Sequence, residues 1–246
     1  MDRLLYLGMM GAKDVSLAQA QISNNLANAS VPGFRSDLLR VRSLPIYGPG
    51  QPTRVANRLE PAGSDLSTGT LTPTGRDLDI AVDGEGWIAV QAPDGREAYT
   101  RSGDLRVNSV GLLVNGAGHP VLGDGGPIAI PPAESIEIAA DGTISARLVG
   151  ERATGMVVLD RIRLVSAPAD AVVKGLDGLF RLRAGAQAVA DAQVRVIPRT
   201  LESSNVSSVG AMADLIGLAR SFEVQVRLMK AAEENDSVSS QLLRMG

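Results

Sequence analysis

Residues 78–91 read LDIAVDGEGWIAVQ. Leu78 to Val82 and Trp87 to Gln91 are short alternating or β-branched runs, and Asp83-Gly84 lies between them. Two such runs about an Asp-Gly turn spell a β-hairpin, because glycine accepts the positive φ that the turn demands. The same grammar continues outward from this hairpin. Further β-type runs stand at Ile128 to Ile130, Ile136 to Ile138, Arg161 to Val165 and Val194 to Ile197, and further Asp-Gly pairs begin at 94, 124, 141 and 177. The expectation is one antiparallel β domain over residues 77–199, built from roughly ten short strands. No repeat of fixed period and no βαβ alternation interrupts it.

Both ends of the chain change period. Leu5, Met9, Ala12, Val15, Ile22 and Leu26 follow a three-four spacing with Gln19 in the remaining slot, which predicts a helix of about 25 residues. Pro32 and Gly33 stop it: proline disfavours helical geometry in the residue before it, and glycine tolerates positive φ. After Pro198 the spacing returns in Met212, Ile216, Ala219, Phe222, Val226 and Met229, with Glu223 and Arg227 as an i,i+4 pair. That predicts a second helix from about Val209 to Leu243. The fold class expected is therefore α+β, mainly β, with long amphipathic helices at both termini that come together as coiled-coil segments. Residues 1–30 and 200–246 make up the helical region, and 31–76, punctuated by Pro45, Pro49, Pro52, Pro61 and Pro73, is an extended connector.

Each helical stripe carries on the order of 10 kcal/mol that is unused while it faces water, at roughly 1.5 to 3 kcal/mol per large apolar side chain. The two stripes can cover each other as a stalk, or other copies of the chain can cover them. In the second case the interface is head-to-tail and generates a filament. Asn24, Asn25 and Asn28 would then fix its register, because an amide near a packed seam must find its own partners and penalises any slip.

The composition narrows the function classes. The chain has 246 residues, 44% of them hydrophobic, with 27 Gly and 13 Pro, so a core exists and turns are many. Aromatic residues are only 3%, so that core must be aliphatic. Its net charge of −3 comes from interspersed acidic and basic residues, with no basic run to follow nucleic-acid phosphates. Cysteine is absent, which removes disulfides, Cys-zinc sites and thiol chemistry. No apolar run is long enough to span a bilayer. Leu4 to Ala12 is weakly apolar and Ala18-Gln19-Ala20 has the form of a cleavage site. However, Asp2-Arg3 carries no net side-chain charge and Lys13-Asp14 splits the two, so no cleaved signal peptide is expected.

A search for chemistry finds none. His119, the single histidine, sits among turn residues in Gly118-His119-Pro120. Asp124-Gly125-Gly126 and Asp141-Gly142-Thr143 lack the further acidic ligands of a calcium loop. Gly84-Glu85-Gly86 lacks a third glycine for a dinucleotide loop, and no glycine stands two residues before Ser102 as a nucleophile elbow requires. Asp77 and Asp79 are read as solvated edge charges. No catalytic residue, cofactor or metal ligand is expected, and no small-molecule substrate. A secreted β-rich hydrolase would instead show two close carboxylates in a pocket, and a stalked adhesin an exposed apolar patch on the β domain.

Three separated motifs carry a resemblance. Asn24-Asn25-Leu26-Ala27-Asn28 with Pro32-Gly33-Phe34-Arg35 resembles the N-terminal signature of the bacterial flagellar rod and hook proteins. Leu78 to Trp87 and Tyr99-Thr100-Arg101-Ser102-Gly103 are similar to that family's central segment, and Leu201 to Val206 with Arg220-Ser221-Phe222-Glu223 to its C-terminal one. Met1 to Tyr6, Trp87 and Gly118 to Val121 look most like the proximal rod members; a distal rod or hook-type axial protein is the alternative within the family. The resemblance implies a structural subunit exported by the flagellar type III apparatus and built into the rod that crosses the periplasm. Its partners would be copies of itself, other rod proteins and the base of the export gate, and its task the transmission of torque around an export channel. The implied interface comprises Leu5, Met9, Ile22, Asn24, Asn25, Leu26, Asn28, Asn205, Val206, Ile216, Phe222, Val226 and Met229, with Phe34 anchoring the chain's exit from the inner layer. Two positions depart from the pattern: Val31 stands where many relatives have Thr, and Gly210, at about 1 kcal/mol in a helix, blurs the start of the second helix.

Overall fold

The computed structural model describes residues 3–45, 55–149, 155–183 and 189–245. The chain divides into two compact units, the first of residues 1–27, 37–63 and 206–246 and the second of 28–36 and 64–205.

The first unit is built on two helices, α1 (Arg3–Ala27) and α2 (Ser208–Met245), together with a two-stranded sheet of Asp37–Pro45 and Val55–Ser64. Small residues set how closely the helices approach. A Cβ placed on Gly8 would lie 2.8 Å from Met229 Cγ, and one on Gly11 would lie 2.9 Å from the Gln225 amide. Position 8 thus meets 229 while position 11 meets 225, so the helices run antiparallel. Helical glycine costs about 1 kcal/mol relative to alanine, and here it admits the neighbouring helix. Ala12, Ala211 and Ala232 are buried along with Gly8. Ser207 caps α2: its Oγ accepts the Gly210 N–H at 3.2 Å and its carbonyl accepts the Ala211 N–H at 2.9 Å. That cap places the helix start at Ser208 and carries the chain through Gly210.

The second unit holds the β core. A six-stranded sheet runs in the order Val172–Lys174, Phe180–Leu182, Glu97–Thr100, Trp87–Gln91, Leu164–Ser166, Val189–Ala190, with every neighbour antiparallel. The strand Trp87–Gln91 is buried on both faces, and its pleat divides the work. Ile88 and Val90 enter a large aliphatic cluster with Ile80, Val82, Leu105, Leu113, Ile128 and Ile144. Trp87 and Ala89 enter a second cluster with Tyr99, Val165, Val172 and Phe180. The Trp87 and Phe180 ring centroids are 4.5 Å apart. A three-stranded sheet, Ala133–Ile138, Thr143–Leu148 and Val157–Arg161, supplies Ile138 and Ile144 to the larger cluster. Asp-Gly hairpins form as expected at Gly95, Gly142 and Gly178, with φ between 78° and 83°, and after Asp124 the positive φ falls one residue later, on Gly126. The hairpin expected about Asp83-Gly84 does not form: Gly84 takes φ 71°, but Ile80–Asp83 pairs with Arg195–Pro198 while Trp87–Gln91 pairs with Glu97–Thr100 and Leu164–Ser166, so the turn passes the chain from one sheet to another.

Several expectations need correction. Residues 31–76 are not one connector. They divide into the segment 31–36, the two-stranded sheet of the first unit, and the strand Leu71–Pro73, which pairs with Thr200–Glu202; Pro49 and Pro52 lie outside the described residues. Ile128 and Ile130 are buried, but only Ala129 between them forms a bridge, to Leu112. Asp79 is not a solvated edge charge. It is buried ahead of the strand Ile80–Asp83, accepts Thr74 Oγ1 at 2.6 Å and pairs with Arg76, while Asp77 stays exposed against Arg199 at 2.8 Å.

Candidate functional site

Three stretches far apart in sequence meet inside the second unit. Strand Thr200–Glu202 brings Glu202 beneath the segment 28–36, and strand Glu97–Thr100 ends where Arg101 can reach the same carboxylate. Arg35 Nη2 lies 2.6 Å from Glu202 Oε1 with both side chains fully buried, and Arg101 Nη1 lies 3.3 Å from Oε2. Glu202 Oε1 also accepts the Gly69 N–H at 2.9 Å. Arg101 is otherwise held by its own sheet: Nη2 donates to Gly84 O at 2.8 Å, Nη1 to Val82 O at 3.4 Å, and its guanidinium lies 5.4 Å from the Trp87 ring centroid. Burial pushes the Arg101 pKa down; Glu202 opposes this and the Arg35 charge adds to it.

Backbone contacts complete the clasp. The Gly33 N–H donates to Glu202 O at 2.8 Å, and Gly33 takes φ +68° against Arg101. Asn205 works with both ends of its amide, accepting the Ser36 N–H at 2.8 Å and donating to Asp65 O at 3.0 Å, while its own N–H donates to Phe34 O at 3.3 Å. Lys174 Nζ donates to Arg35 O at 2.8 Å and sits 3.8 Å from the Phe34 ring centroid. Phe34 and Asn205 therefore meet in one place. Arg35, Arg101, Glu202 and Lys174 are partners that periodicity could not single out. A signal was available, however: each of the first three is a charge inside one of the family-like motifs, two positive and one negative.

The first unit shows where the remaining interface candidates stand. Ile22, Leu26, Val226 and Met229 are half-buried, as is Val206, whereas Leu5, Met9, Ile216 and Phe222 are exposed. The described residues of α2 that are shielded are Gly210, Ala211, Leu215, Leu218, Gln225, Val226, Met229 and Ala232; in the first half of the helix this line runs one residue before the one expected from Met212, while Val226 and Met229 belong to both. Met212 at 54% and Ile216 at 57% stay open beside it, as do Leu5 at 40% and Met9 at 53% on α1. Asn25 spends its amide within its own chain: Nδ2 donates to Asp37 O and Oδ1 accepts the Asp37 N–H, each at 3.0 Å. Asn24 is exposed and Asn28 half-buried, with Asn28 O accepting the Val31 N–H at 3.1 Å.

Nothing in this arrangement is poised for bond making. Among the described residues no group of three His, Cys, Asp or Glu side chains gathers as a metal set, and no helix is long and apolar enough to cross a membrane. A cleft of about 170 Å³ is lined by Asp124, Asp191, Arg161 and Arg163 with Ile162 and Leu164.

Comparison with known proteins gives matches along the whole chain. Residues 5–35 match the family described as flagella basal body rod protein, residues 81–146 the flagellar hook protein FlgE/F/G D1 domain, and residues 198–242 the flagellar basal body rod FlgEFG protein C-terminal family. The flagellar basal-body rod protein FlgF of Escherichia coli (strain K12) is 43% identical over 251 residues, with 100% of both chains covered. That of Salmonella typhimurium matches at the same identity and coverage, and that of Caulobacter vibrioides is 33% identical over 95% of each chain.

Proposed function

The chain belongs to the flagellar basal-body rod protein family and is a structural subunit of the rod, not an enzyme, and from that premise we propose that it polymerises through the open faces of α1 and α2. One observation carries the proposal. The helix pair covers its own inner line, yet leaves Leu5, Met9, Met212 and Ile216 about half exposed. Apolar side chains left open on paired helices gain free energy only when another surface excludes water from them. Neighbouring subunits of the rod, other copies or related rod proteins, supply that surface, and the helices form coiled-coil segments with them as the inner layer of a tube. Asn24 and Asn28 set the register there. The chain reaches the rod across the periplasm through the flagellar type III export apparatus without a cleaved signal peptide, and the finished tube transmits torque around the export channel.

The test is Ile216→Glu, paired with Met9→Glu, in cells lacking the native gene. Rods missing from imaged basal bodies, together with an unchanged melting curve for the purified variants, is the expected result. Normal rods and motility would overturn the assignment of these faces, and a collapsed melting curve would transfer both residues to the fold of the single chain.

A further inference from the structure

The clasp contains more positive charge than its own carboxylate can neutralise. Arg101 spends both of its terminal nitrogens without the segment 28–36, on Gly84 O, Val82 O and Glu202, and has the Trp87 ring beside it; only its Nε lacks an acceptor among the described residues. Glu202, with Arg101 and the Gly69 N–H, is likewise a balanced group. Arg35 arrives as a second buried cation on the same carboxylate. Its Nη2 is close to Glu202 Oε1, but the N–H directions miss the oxygen, and Nε, Nη1 and Nη2 find no protein acceptor among the described residues. A buried cation with unspent donors opposes the state that buries it. The segment is otherwise held by polar contacts, among them Gly33 N–H to Glu202 O, Phe34 O from Asn205 N–H with Lys174 over the Phe34 ring, Arg35 O from Lys174, and Ser36 through both its N–H and its carbonyl, and none of its residues belongs to either hydrophobic cluster.

We propose that residues Asn28–Ser36 form a strap that opens and closes on an otherwise folded β unit, and that Arg35 weakens the closed state so that the strap is releasable. Glu202 is the positioning residue that keeps it closed. The strap is the covalent link between Ala27, where α1 ends, and Asp37, where the two-stranded sheet begins. Its opening leaves the sheet folded, and the Asn25–Asp37 bonds continue to tie the end of α1 to the strand that follows the strap. The inference concerns the unassembled chain and stands apart from the polymerisation proposed above.

Two substitutions separate this device from an ordinary buried salt bridge. Amide hydrogen exchange on the full-length soluble chain, expressed as protection relative to intrinsic rates, reads the strap at Gly33 and Ser36 and the core at Val90. In the native chain the strap amides are expected to be at least ten-fold less protected than Val90. Glu202→Gln lowers strap protection a further ten-fold or more. Arg35→Met removes the surplus charge, leaves the Arg101–Glu202 pair intact and raises strap protection several-fold. Val90 is unchanged in both. A stabilising salt bridge predicts the opposite sign for Arg35→Met, so lowered or unchanged strap protection in that variant overturns the role of Arg35. Strap and core amides exchanging together in the native chain would overturn the strap itself, with no variant needed.

Discussion

Replacing Gly33 by alanine tests the clasp through its geometry and not through its charges. Gly33 has φ +68°, and a Cβ built there would lie 2.3 Å from the Arg101 carbonyl carbon, 2.4 Å from its oxygen and 2.5 Å from Ser102 N. These are backbone atoms of a segment that follows directly on the buried strand Glu97–Thr100, so no rotamer change relieves the contact. The left-handed conformation costs a non-glycine residue about 1–2 kcal/mol, and forcing an extra carbon into a packed site about 1–3 kcal/mol. Together they amount to roughly 2–5 kcal/mol against closure, or roughly thirty-fold to a few thousand-fold at ten-fold per 1.4 kcal/mol. The Ser36 amide, bonded to Asn205 Oδ1 at 2.8 Å, reports closure by its exchange protection. Gly75→Ala is the control, because Gly75 has φ +75° with nothing within 4 Å of its would-be Cβ. It is expected to cost only the conformational part and to leave Ser36 as protected, relative to Val90, as in the native chain. If Gly33→Ala leaves Ser36 protection within about three-fold of native, or if Gly75→Ala lowers it equally, the close approach of Gly33 to Arg101 is not what closes the clasp.

Ile88→Ala, at a fully buried position of the larger cluster, is expected to lower the stability of the β unit by about 2–5 kcal/mol, read from urea unfolding, whereas Val110→Ser at 80% exposure should stay within about 0.5 kcal/mol. Asp177 is held down at about 2 by its hydrogen bonds from Arg181, with the Leu179 N–H assisting. A depressed carboxylate pKa means that the unfolded chain binds the proton first as pH falls, so the stability Asp177 supplies is complete above about pH 4 and disappears towards pH 2. Unfolding midpoints measured from pH 5 to pH 2.5 should fall more steeply in the native chain than in Asp177→Asn.

The β domain was legible because its grammar is local. Asp-Gly pairs bring positive φ at Gly84, Gly95, Gly142 and Gly178, and Trp87 to Gln91 is apolar enough to be buried on both faces. The helices were legible in extent for the same reason: Pro32 and Gly33 end one, and the three-four spacing that returns after Pro198 marks the other. What periodicity misjudged was which face of α2 turns inward. Counting large apolar residues favours Met212 and Ile216, but two helices that approach closely select small residues, so Gly8, Gly11, Ala211 and Ala232 mark the seam. Hydrophobicity is a poor signal for a contact made by the absence of a side chain. The clasp was invisible for a different reason. Arg35 and Glu202 are 167 positions apart, and an ion pair at that separation leaves no periodic trace. The resemblance gave the three stretches an order in sequence, but only the fold shows that they meet. The segment 31–76 misled because proline and glycine read as extended chain, and extended chain becomes strand as soon as a partner strand is available.

The size of the open helix surface sets how the proposed polymer behaves. Leu5, Met9, Met212 and Ile216 are each about half exposed, so covering them gains on the order of half of the roughly 1.5–3 kcal/mol that full burial of such a side chain contributes. Four side chains then supply on the order of 4 kcal/mol. Association costs an estimated 4–15 kcal/mol in lost translational and rotational freedom, so one neighbour held by this surface alone does not hold a subunit. The same subunit held on several sides meets that cost once and gains the contact energy repeatedly. The proposed polymer is therefore expected to grow at an existing end, where a subunit meets more than one neighbour at once; Tyr6, Leu17, Phe222, Val224 and Leu228, also exposed on these helices, add to the contact each neighbour can make.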